Sequence, residues 1–229
     1  MSTETAQLTP VSDPVTRRRV GFVSLVLALT AVASLPGGLL WPSPAGGGET
    51  YTYADIQPLR DRWWMLLVFL SANLILNVPA QALATVMLVR RRGAAWATAG
   101  GAVMWIGTAL YAVGVGGWAA TYYFATAPAV GEAAGSAVMD AAADDMLHLF
   151  VAMITGSLMV AVGTVIQSVG LWRSHAVPRW IPLLWLTTIL TFVIPGNGVA
   201  GLLTAVPMTA ASIGTAYYAW RAAGRDSGH

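Results

Sequence analysis

Six long apolar stretches run along the chain, at about 20–41, 63–89, 94–123, 145–172, 179–195 and 198–220. Roughly 20 apolar residues, rising 1.5 Å each, cross a bilayer core of about 30 Å as a helix. The pattern therefore predicts an all-α, polytopic membrane protein with six transmembrane helices over residues 20–220. The fifth stretch is short, and the tight-turn signal "PGNG" (195–198) follows it, so the last two spans are expected to form a helical hairpin. Pro182, Pro195 and Pro207 leave a rival open, in which 179–220 is one re-entrant pair.

Polar positions break this pattern in the second stretch. "NLILNVPAQ" (73–81) spaces Asn73, Asn77 and Gln81 four residues apart and sets Pro79 between the last two. On a helix these amides form one slowly turning stripe, which Thr85 extends. Facing lipid, each would leave donors and acceptors unpaired at several kcal/mol. The stripe must face protein or water. It is either glue between helices, at about 0.6–2 kcal/mol per bond, or the wall of a polar cavity. Pro79 also frees the carbonyl of Ile75. Gln167 is the other amide deep in a span, and Thr187, Thr188, Thr191, Thr204, Thr209 and Ser212 are candidate partners.

Glycines mark a second feature. Gly100, Gly107 and Gly114 in the third span, and Gly156, Gly163 and Gly170 in the fourth, each recur every seven residues. Small residues at a heptad spacing give a smooth seam for close, left-handed helix crossing. The third and fourth spans are expected to pack along it. Most tryptophans and tyrosines, including Trp41, Trp63, Trp118 and Tyr122, fall at span ends as an aromatic belt. Trp105 and Trp185 lie deeper and are the candidates to line a cavity.

Composition supports the membrane assignment. Only 10% of the 229 residues are charged and the mean hydropathy is +0.65, against about a quarter charged in soluble domains. All 12 basic residues are arginine, which excludes a lysine Schiff base and a retinal photoreceptor of that kind. The absence of cysteine excludes thiolate, disulfide and iron–sulfur chemistry.

The arginines also orient the chain. Arg17, Arg18, Arg19, Arg90, Arg91, Arg92, Arg173, Arg179, Arg221 and Arg225 share one side if there are six spans, and only Arg60 and Arg62 lie on the other. The positive-inside rule then makes residues 1–19 and 221–229 cytoplasmic tails of a multi-pass protein of the bacterial inner membrane. The basic pI of 9.2 reflects that topology and not nucleic-acid binding. "TRRRVGF" and "AVAS" (31–34) suggest a cleaved signal, but the first apolar run is too long for one and is expected to be retained. The two long outer loops are 42–62 and 126–144, the second Ala-rich and able to form a short interfacial helix.

"DDMLH" holds the most reactive side chains. Asp144 and Asp145 stand four and three residues before His148, so a helix puts both carboxylates on the imidazole's side. Such a group can act in acid–base catalysis, or the aspartates can simply cap a helix. A zinc site would need a third ligand from Asp55, Asp61 or Asp140, and bis-histidine haem has no second histidine within a span. No metal or other cofactor is expected.

Residues 144–184, "DDMLHLFVAMITGSLMVAVGTVIQSVGLWRSHAVPRWIPLL", resemble actinobacterial integral membrane proteins of the DUF4386-like kind. The resemblance rests on the polar helix start with His148, the Gly-rich span and the turn from Leu171 to Trp180. It implies a six-helix membrane fold of unknown function, with no catalytic residues to carry over.

The first functional expectation is a non-enzymatic protein that binds or conducts a small or lipidic molecule, or supports a membrane partner. Asn73, Asn77, Gln81, Trp105, Gln167 and Trp185 would line its cavity. The alternative is an intramembrane enzyme acting on an isoprenoid-like substrate, with Asp144, Asp145 and His148 as acid–base residues. A proton-coupled transporter is disfavoured, because no charge lies in the middle of a span. Expected partners are the bilayer, a small apolar ligand, and a second copy or another membrane protein.

Overall fold

The computed structural model describes residues 14–46, 51–192 and 198–225. Its helices are α1 (Pro14–Leu40), α2 (Tyr53–Ile56), α3 (Arg60–Leu88), α4 (Ala94–Ala125), α5 (Glu132–Asp144), α6 (Met146–Ser174), α7 (Trp180–Trp185) and α8 (Gly198–Arg225). Five helical segments are long and apolar enough to cross a membrane: Pro14–Gly37, Tyr53–Leu88, Ala94–Ala125, Phe150–Ser174 and Val199–Gly224.

The stretch expected as the fifth span differs. It is the six-residue α7 followed by a 3-10 segment, Leu186–Phe192. Six residues at 1.5 Å and seven at 2.0 Å extend only about 23 Å, short of the hydrocarbon core. The "PGNG" turn lies mostly outside the described residues. By contrast, Pro207 does not interrupt α8, so the second half of 179–220 is one long helix and not half of a re-entrant pair. Pro36 and Pro79 also sit inside long helices. The Ala-rich outer loop contains α5, as anticipated.

α4 lies against α6 and α3, and α1 lies against α8 and α3. Val20 near the start of α1 shares a core with Ala216, Ala219 and Ala223 near the end of α8, and the Thr209 hydroxyl of α8 donates to the Ala31 carbonyl at 3.0 Å. α1 and α8 are therefore antiparallel. The start of α1 and the end of α8 lie at the same end of the bundle.

The glycine seam is real and in register. A Cβ on Gly100 would lie 2.6 Å from the Gly163 carbonyl, and one on Gly107 would lie 2.7 Å from the Gly156 carbonyl. Seven residues forward on α4 match seven back on α6, as antiparallel helices require. The backbones approach so closely that a methyl group would meet main chain. Gly93, which begins the next step of the seam against Gly170, has φ +91 and so turns the chain into α4 where other residues would be strained.

Arg60 and Arg62 have structural work. Arg60 donates from Nε to the Tyr123 carbonyl at 2.9 Å and stacks 3.6 Å over the Tyr123 ring. Arg62 donates to the Leu40 carbonyl. The pair ties the start of α3 to the ends of α4 and α1.

Candidate functional site

α3 carries the amide stripe into the bundle unevenly. Gln81 is buried, whereas Asn73 and Asn77 are half-buried. Asn77 Nδ2 donates to Thr30 Oγ1 at 2.9 Å. That hydroxyl in turn donates to the Val26 carbonyl of its own helix at 2.7 Å. Among the described residues, Asn77 is the one amide of the three with a side-chain hydrogen bond. Its partner Thr30 is on α1, away from the threonines of the last two spans that the sequence suggested. Thr30 is one of three hydroxyls in the first apolar run, with Ser24 and Ser34, and no local pattern singles it out or points to α1 as the neighbour.

Gln167 joins three helices. Its side chain is 1% exposed. Nε2 lies 3.3 Å from the Ala82 carbonyl on α3 and 3.4 Å from the Ala97 carbonyl on α4. Gly101 makes room for it: a Cβ there would stand 3.3 Å from Nε2. The Oε1 atom is buried without a partner. Trp185 is also buried, and its indole Nε1 donates to Thr215 Oγ1 on α8 at 3.2 Å.

Trp105 departs from the expectation that it lines an interior cavity. It is 63% exposed and borders an open groove of about 300 Å³ with Ile75, Pro79, Ile106, Thr108 and Ala109. Its depth along the helix is as read, but it lies on the outer face of α4. Gly100 and Gly107 turn the opposite face toward α6.

The Asp145–His148 pair forms. His148 Nδ1 and Asp145 Oδ1 are 2.7 Å apart. Asp145 sits where α5 breaks into α6, and its carboxylate binds the imidazole without capping α6. The hydrogen bond from the ring holds the Asp145 carboxyl below its usual range and raises His148 above the usual imidazole value. Both side chains, and Asp144, are exposed. Among the described residues no group of three His, Asp or Glu side chains could hold a metal ion.

An aromatic cluster at the end of the bundle where α3 begins and α4 ends departs from the belt expectation. Trp63 is fully buried, with ring centroids 4.9 Å from Trp118, 4.7 Å from Tyr51 and 5.5 Å from Trp41. Trp41 Nε1 donates to Tyr51 Oη at 2.9 Å, and Tyr51 donates to the Pro42 carbonyl at 2.8 Å. Trp41 and Tyr51 thus cover Trp63 at the start of α3 and Trp118 near the end of α4. Trp and Tyr at span ends signal an interface whether they face lipid or each other, so sequence position alone does not separate the two.

No protein-family model, no curated protein and no solved structure matches this chain.

Proposed function

We propose that this is a six-crossing protein of the bacterial inner membrane, with both ends cytoplasmic, that binds or conducts a small or lipidic molecule. Five long apolar helices and the antiparallel α1–α8 pair support an even number of crossings. The sixth would be the stretch 180–192, which is broken and short. The observation that carries the functional reading is this discontinuous segment packed beside buried polar side chains of α6 and α8. Irregular backbone at membrane depth is tolerated where protein or a cavity surrounds it, and broken helices of this kind form binding sites in transporters. The likeness to DUF4386-like proteins belongs to the same reading.

The enzyme alternative has less behind it, because Asp144, Asp145 and His148 are exposed rather than enclosed beside an apolar surface. The cysteine-free chain allows a direct topology test. Ala133→Cys should react with a membrane-impermeant maleimide on intact cells, and Ser227→Cys should react only after lysis. Labelling of Ser227→Cys from outside would overturn the topology. For binding, native mass spectrometry of the purified protein should detect a retained small molecule that Gln167→Leu releases. A wild-type protein that carries none would count against the binding reading.

A further inference from the structure

Among the described residues five buried side-chain oxygens have no hydrogen-bond partner; Ser24 Oγ lies apart on α1, and the other four are Thr85 Oγ1, Gln167 Oε1, Ser168 Oγ and Thr188 Oγ1. These four come from α3, α6 and the 3-10 segment 186–192. Their positions in the fold are related. Val89, Leu171 and Trp185 share one hydrophobic cluster. Thr85 is four residues before Val89, Ser168 is three before Leu171, and Thr188 is three after Trp185. Each therefore shares its neighbour's helix face.

The directions also agree. α3 and α6 are both antiparallel to α4 and run the same way. The chain from α7 to residue 192 runs the opposite way, toward the end where α8 begins. Stepping back along α3 and α6, and forward along 185–188, moves in one direction by about 4.5–6 Å. That common step, taken from one shared cluster, is what sets the three hydroxyls at a similar level beside it. Gln167 adjoins Ser168 and contacts the Ala82 carbonyl one turn from Thr85.

We infer that this level is a binding site for ordered water, which joins the broken segment to α3 and α6. Other hydroxyls in these elements satisfy themselves on their own backbone: Thr164 on α6 donates to Val160, and Thr187 in the broken segment to Leu184. Thr85, Ser168 and Thr188 do not, so each has both a proton to give and lone pairs to fill. Gln167 has already directed its Nε2 to two carbonyls, which leaves Oε1 as an acceptor only. Water both donates and accepts, and buried waters use two to four polar partners. A bare cation would fill the lone pairs but strand the hydroxyl protons, with no carboxylate among the four groups to offset its charge. The inference does not depend on the topology or on the small-molecule reading.

The test compares Thr85→Val, Ser168→Ala and Thr188→Val, singly and together, by Tm in detergent, with a high-resolution structure of the wild type. Each single substitution should lower Tm by several degrees, because water loses a partner while the others remain. The triple variant should recover most of that loss by removing the polar level altogether. Density for water between the hydroxyls should appear in the wild type. Single substitutions that raise Tm additively would mean the level is dry, and neutral ones would mean that the hydroxyls bond to their own helices. Either result overturns the inference. So would a wild-type Tm that differs between sodium and choline salts at equal ionic strength, which would assign the site to a cation. If the triple variant does not fold, absence of density between the wild-type hydroxyls is by itself sufficient to overturn it.

Discussion

Asn77 on α3 donates its side-chain amide to the Thr30 hydroxyl on α1 at 2.9 Å. Thr30 already donates to the carbonyl of Val26, so the pair forms a short relay from one helix's side chain to another's backbone. Asn77→Leu should lower stability by about 0.6–1.7 kcal/mol, the range of single interhelical hydrogen bonds in membranes. The cost is modest because Thr30 keeps its own backbone bond. A double-mutant cycle with Thr30→Val measures the coupling, and a coupling near zero would show that the contact contributes nothing.

The glycine seam supports a sharper expectation. Gly107→Leu and Gly163→Leu should each destabilise by about 1–3 kcal/mol, through overpacking against main chain that cannot retreat locally. Gly116 and Gly117 lie on the same helix with open space around them. Alanine there should be neutral or stabilising by up to about 1 kcal/mol. Thermal melts in detergent decide it. Equal effects at seam and control positions would reject the seam as the reason for the glycines.

The Asp145–His148 pair sets a pH window. His148 is raised, so its contribution is complete below the ordinary imidazole value and is lost as pH rises through the raised one. Asp145 is lowered, so its contribution is complete above the ordinary carboxylate value and is lost as pH falls through the lowered one. The pair is intact between those limits. Both groups are exposed, so global stability should hardly respond. The readout is the His148 ring resonance: its midpoint should fall toward about 6.5 in Asp145→Asn. An unmoved midpoint would mean that the pair does not form in solution.

Tyr51→Phe tests the aromatic cluster where α3 begins and α4 ends. It removes the acceptor for Trp41 Nε1 and the donor to Pro42, at about 0.5–1.5 kcal/mol for each net bond lost. Limited proteolysis within 42–52 should speed up while the melt shifts only slightly. Unchanged cleavage would mean that the Tyr51 hydrogen bonds do not hold this loop.

Some features were legible because lipid simplifies the problem. A helix crossing the bilayer must be long and apolar, so five spans could be read from run length alone. Amides cannot face hydrocarbon, so the inward turn of Gln81 and Gln167 was readable. Glycines every seven residues have few uses other than close packing, and α4 and α6 pack along them. Other features were decided only when the helices met. Which hydroxyl Asn77 reaches depends on α1 lying beside α3, a contact between segments 47 residues apart. Whether an end-of-span tryptophan faces lipid or another ring depends on where Trp41 and Tyr51 come to lie against Trp63. The face of α4 that carries Trp105 was settled by the α6 seam on the other side. The broken stretch 180–192 reads as a span by composition, but its backbone is shaped by packing against α6 and α8. Run length and burial cost act within one segment and are written in its own residues. Partner choice acts between segments, and only the tertiary structure brings those together.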